Sequence, residues 1–210
     1  MNADQVAALR ALLAPTGWLD RTALFAGALR RSVRSPQGLL VIGTATEEPW
    51  HMAAHLKDES RLAGIPELEP TLVRWAPPPG ARPHLAIGLD RLKEARRSET
   101  LLVVTSQLAP AELLERVHDV RKLGATVFAL DGGDRELEEL ASESLAVPEA
   151  DSPVTFDGAQ HLVSAAAGEL VGAGSDGAAT TGQRYSAQPT TGLRGRLARL
   201  LDTVSGTPVD

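Results

Sequence analysis

The sequence predicts an α/β fold, a three-layer sandwich around a five-stranded parallel sheet. Two observations carry the prediction. Between Thr100 and Pro148, short apolar runs alternate with stretches whose apolar residues recur at helical spacing. The strand candidates are apolar throughout, the mark of strands covered by helices on both faces and therefore paired in parallel. In such a sheet ligands bind at the carboxyl ends of the strands, which narrows the search for function to a few loops.

The elements follow in order. Val6, Leu9, Leu12 and Leu13 suggest a first helix ending before Pro15, and Asp20 is a candidate N-cap for a second running to about Arg34. Residues 1–34 thus form a helical hairpin packed on the core, and the α/β domain spans 35–171. Leu39 to Ile42 is the first strand, Gly43-Thr44-Ala45-Thr46 a tight polar loop, and Glu47 and Glu48 the first turn of a helix running to about Ala63. Thr71 to Trp75 is the second strand, followed by a proline-rich loop and a helix from Leu85 to Ala95.

Leu101 to Val104, Ala125 to Leu130 and Ser144 to Val147 complete the five strands, with helices over Pro110–Leu123 and Asp134–Ala141 between them. Phe156 to Leu170 is a closing helix. Residues 172–192, rich in Gly, Ala, Ser and Thr, read as a flexible linker. Over 193–210, Leu193, Leu197, Leu200, Leu201 and Val204 give an amphipathic helix with a basic face, followed by a short tail.

Bulk properties exclude several classes. A 43% hydrophobic and 23% charged chain is an ordinary globular composition. A net charge of −6 argues against unspecific nucleic-acid binding. No run approaches a membrane span, and the start lacks the basic and apolar regions of a signal peptide, so a cytoplasmic protein is expected. With no cysteine, disulfides, thiolate metal sites and cysteine nucleophiles are all excluded.

The second half, through Leu101-Leu102-Val103-Val104-Thr105-Ser106, Ala111-Glu112-Leu113-Leu114-Glu115, Leu123-Gly124-Ala125-Thr126-Val127 and Ser144-Leu145-Ala146-Val147-Pro148, resembles the sugar isomerase (SIS) domain, a phosphosugar-binding family. The likeness covers roughly residues 19–170 and implies strand order 2-1-3-4-5. It also implies a ligand site in two loops, here Gly43, Thr44 and Thr46 after the first strand and Thr105, Ser106 and Gln107 after the third. Small residues there let amides close around phosphate oxygens while hydroxyls donate. Both loops depart from the family pattern, since the second has lost its glycine and its following hydroxyl. Glu47 and Glu48 also place carboxylates where an anion would sit.

Family enzymes need a general base, and the candidates are Glu47, Glu48 and His51, with Glu48 and His51 preferred. His51, His55 and Glu59 share a helical face at i, i+4 and i+8, as metal ligands do. His55 with Glu59 is similar to the metal pair of the phosphoheptose isomerase branch, and Gln160 to its glutamine. That implies a zinc set of His55, Glu59 and Gln160, although the branch's fourth ligand falls near Ala167 or Gly168. The leading expectation is a non-catalytic homodimer without cofactor, binding a sugar phosphate or related metabolite in a sensing or scaffold role. The alternatives are a sugar-phosphate isomerase, with zinc as its metal, and a protein-interaction module using the C-terminal helix.

Overall fold

The computed structural model describes residues 13–150 and 152–169. The helix expected from Val6 (Leu13 excepted), the linker and the C-terminal helix lie outside them. Five strands form one all-parallel sheet: β1 (Leu39–Ile42), β2 (Pro70–Leu72), β3 (Thr100–Thr105), β4 (Thr126–Asp131) and β5 (Glu143–Ala146). Their order is β2-β1-β3-β4-β5, as the resemblance implies. Leu39 of β1 is level with Pro70 of β2 and Thr100 of β3, and Thr100 is level with Thr126 of β4. The ends of β1 and β3 therefore open onto the same rim.

Six α-helices cover the sheet among the described residues: α1 (Trp18–Ser32), α2 (Trp50–Ala63), α3 (Asp90–Lys93), α4 (Ala111–Lys122), α5 (Arg135–Leu140) and α6 (Phe156–Gly168). Alternate strand residues feed two cores, because successive side chains point to opposite faces. Leu39, Val41, Leu102, Val104, Phe128 and Leu130 pack beneath α1, α2 and α6. Leu40, Ile42, Leu101, Val103, Val127 and Ala129 pack beneath α3, α4 and α5. Phe25 of α1 meets Phe128 edge to face, with ring centroids 5.5 Å apart.

Helix α6 is rich in small residues, which lets it settle between α1 and α2. Its stretch from Ala159 to Ala165 is buried without a break. Thr155 caps it by accepting from the Gly158 amide at 3.0 Å.

Four expectations need correction. Asp20 is not the N-cap of α1 but sits in its first turn, because Gly17 with φ of 69° opens the helix at Trp18. Glu47 and Glu48 precede α2 rather than forming its first turn, since Pro49 stands at the N-cap. The paired part of β2 is Pro70–Leu72, and beyond it the backbone contact to β1 is Val73 N donating to Val41 O at 2.8 Å. The helix expected over Leu85–Ala95 breaks into a 3-10 turn at Pro83–Leu85 and the single turn α3, because Gly88 bridges to Arg74 instead.

Candidate functional site

The loop after β1 folds onto itself. The Thr44 amide donates to the Glu47 carbonyl at 3.1 Å, and the Glu47 amide donates to Thr44 Oγ1 at 3.0 Å. Thr46 Oγ1 lies 3.2 Å from the same hydroxyl. Gly43 makes the closure possible, because a Cβ there would lie 2.2 Å from the Glu47 carbonyl oxygen and 2.9 Å from that of Val104. The Thr44 and Glu47 amides and the Thr44 hydroxyl are thus engaged within the loop.

The loop after β3 also bonds partly to itself. Thr105 Oγ1 donates to the Gln107 carbonyl at 2.9 Å and accepts from the Gln107 amide at 3.3 Å. Gly132, in the loop after β4, presses close: a Cβ would lie 2.2 Å from the Ser106 carbonyl oxygen. Asp134 caps α5, accepting from the amides of Glu136 and Leu137, and its other oxygen accepts from Ala109 N at 2.6 Å. It ties the β3 and β4 loops together. Asp131 is fully buried, accepts from the Gly133 and Asp134 amides at 2.7 and 2.8 Å, and has its carboxyl pushed up by burial.

One contact joins the two rim loops. Glu47 Oε2 accepts from Ser106 Oγ at 2.9 Å and from Ser106 N at 3.2 Å. An amide and a hydroxyl converging on one oxygen are what a phosphate would use, and here the protein supplies the anion itself.

Glu48 points the other way. Its Oε2 accepts from Arg74 Nε at 2.9 Å, from the second guanidinium nitrogen at 2.8 Å and from Trp50 Nε1 at 2.9 Å. Arg74 lies over the Trp50 ring at 4.5 Å, and Trp75 Nε1 donates to Gly43 O at 2.9 Å. The pair is largely buried, with both side chains 15% exposed. Arg74, Trp75, Asp134 and Asp157 enter the site without a signal in sequence spacing, since their partners stand far away in the chain or across a turn.

The α2 face carries His51 and His55 as the i, i+4 spacing implies, and α6 supplies His161 opposite them. Ring centroids are 4.6 Å apart for His51–His55, 4.5 Å for His51–His161 and 4.1 Å for His55–His161. Burial, and then repulsion from His55 and His51, pull His161 down to about 4, with Asp157 opposing. His55 is lowered by burial and by His51. Asp157 Oδ1 stands 3.7 Å from His51 Nδ1 and accepts from Gln160 Nε2 at 3.1 Å.

The group of histidines that the geometry gathers is His51, His55 and His161. Gln160 turns to Asp157 and to a small cavity of about 160 Å³ that it shares with Glu47, Glu48 and His51. Ala167 and Gly168, where a fourth ligand would fall, are buried and offer no side-chain donor. The residues at those positions do not complete the set of His55, Glu59 and Gln160.

A larger cleft of about 470 Å³ opens beside the rim, between Ser106 and Gln107 on one side and Val147, Glu149, Val154 and Phe156 on the other. Its size is that of a small-molecule site.

No protein-family model matches the chain, and no curated protein does. Among solved structures it is similar to the sugar isomerase domain of an RpiR transcription factor from Sphaerobacter thermophilus, at 14% identity and TM-score 0.48, over 76% of this chain and 87% of that one. A proposed phosphosugar isomerase from Silicibacter pomeroyi matches at 14% identity and TM-score 0.49, over 79% of this chain and 49% of that one. The Vibrio vulnificus NanR protein, solved with ManNAc-6P, matches at 16% and 0.41, over 76% and 64%. The fold itself is the three-layer α/β sandwich that the resemblance implied, with sheet order β2-β1-β3-β4-β5 and helices on both faces.

Proposed function

We propose that this chain is a non-catalytic SIS-like binding module that takes an uncharged or amino-bearing carbohydrate derivative, in a sensing or scaffold role. The observation that supports it is Glu47 seated on the Ser106 amide and hydroxyl. A dianionic phosphate entering there would have to displace a carboxylate or sit beside it. A unit charge pair about 4 Å apart at an effective dielectric near 20 is worth about 4 kcal/mol, so repulsion of even half that size weakens binding roughly 30-fold.

Both rim glutamates are engaged, which supports a binding role over catalysis. Glu48 is held by Arg74 and Trp50, and Glu47 is occupied by Ser106. The cavity that both glutamates line, about 160 Å³, is smaller than pockets that enclose a sugar phosphate. The 470 Å³ cleft suits a neutral ring instead, with Phe156 and Val154 for its apolar face and Gln107 and Glu149 for hydroxyl or amino groups.

Self-association belongs to the same reading: Leu24 of α1 and Leu62 of α2 are 71% and 58% exposed on the helical layer that carries α6. Light scattering that gives a dimer mass supports it, and a monomer mass removes it.

Thermal denaturation against a panel of neutral sugars, amino sugars and sugar phosphates tests the function. Saturable stabilisation by a neutral or amino sugar, without turnover of hexose or heptose phosphates, is expected. Stabilisation by sugar phosphates alone, or measurable isomerisation, would reject it.

A further inference from the structure

We propose that His51, His55 and His161 form a binding site for a zinc-class divalent cation that clamps α2 to α6, with Asp157 as the outer carboxylate that orients His51. One ligand atom from each histidine lies within 4.8 Å of the others, and among the described residues no other group of three or more histidines and acids converges in this way. Tetrahedral zinc with Zn–N bonds of about 2.0–2.1 Å holds its nitrogens roughly 3.4 Å apart, so the longest separation must contract by up to about 1.4 Å. Side-chain rotation of the half-buried His51 and His55 toward the packed His161 is the movement this requires.

The architecture suits the task. Two histidines one helical turn apart present their rings on the same face, and a third from the facing helix closes the set. Asp157 stands 3.7 Å from His51 Nδ1, just outside hydrogen-bond distance, where a small approach would let it orient a ligating ring from behind. His161 is 2% exposed and sits on the buried face of α6, so its ring is already fixed by packing. An all-imidazole set favours zinc and its borderline neighbours over magnesium or calcium, which want oxygen. Three protein ligands leave a fourth position for water. The site lies apart from the 470 Å³ cleft, and neither reading depends on the other.

The test is calorimetric titration of the full chain, stripped with chelator, using zinc chloride and then magnesium chloride. Cobalt substitution is followed by visible absorption. One zinc per chain at micromolar affinity or tighter, no magnesium binding, and the intense bands of four-coordinate cobalt are expected. His51→Ala and His55→Ala, each checked for intact folding by circular dichroism, should each weaken zinc binding by more than about tenfold. His161→Gln should abolish the cobalt spectrum; because it alters a buried position, the two α2 variants decide if it fails to fold. Absence of zinc binding to the wild-type chain overturns the proposal, as does binding that survives either α2 substitution unchanged.

Discussion

Acid should destabilise this protein first through His161. In the unfolded chain that imidazole titrates near 6.5, whereas in the fold burial and its two histidine neighbours hold it at about 4. Between those values the unfolded state binds more protons than the native state. The stabilisation is therefore complete above pH 6.5, is lost as pH falls below it, and levels off near 4. The slope reaches about 1.4 kcal/mol per pH unit, and the full loss is roughly 3 kcal/mol, a large share of a typical domain's stability. His55, lowered for the same reasons, adds in the same direction.

The assay is urea unfolding with chelator present, at a series of pH values between about 4.5 and 7.5, on the wild-type chain and on His161→Gln. Carboxylates contribute to the acid limb of both proteins, so the difference in slope isolates the histidine. The variant should lose a substantial part of the pH dependence below 6.5, whatever its absolute stability. Equal slopes in the two proteins, or a wild-type stability that stays flat from about pH 7 to 5, would refute the reasoning.

Two further outcomes follow from the rim. Glu48→Gln should destabilise by roughly 1–3 kcal/mol in chemical denaturation, because it leaves the largely buried Arg74 guanidinium without its countercharge; Arg74→Met with Glu48→Gln together should recover part of that loss. Asp134→Ala removes both the α5 cap and the bond to Ala109, and should cost about 3 kcal/mol, with hydrogen exchange rising at Ala109, Glu136 and Leu137.

The sheet was readable because local and tertiary signals agree. β1 falls on Leu39–Ile42 as its apolar run implies, and the parallel pairing follows from the β-helix-β alternation, whereas the strand order came only from the resemblance. The segment from Pro83 to Ala95 misleads because Leu85, Leu89 and Leu92 keep a helical rhythm while Pro83 and Gly88 divert the backbone into a bridge with Arg74. Helical spacing likewise shows that His51 and His55 share a face. It cannot show that α6 rotates His161 rather than Gln160 toward them, because α6 is buried on several sides and its polar residues face different neighbours.

The Glu47–Ser106 contact was least legible. It joins residues 59 apart and depends on Gly43 letting the first loop close, so spacing gives only the two depleted loops and two adjacent carboxylates.

The most direct test of a rim closed by its own carboxylate is calorimetric titration of inorganic phosphate, then of a hexose phosphate, into wild type and Glu47→Ala. With the Ser106 amide and hydroxyl released and one negative charge removed, the variant should bind phosphate at least about tenfold more tightly than wild type. Equal affinity in the two proteins, or tighter binding by the wild type, would contradict the account.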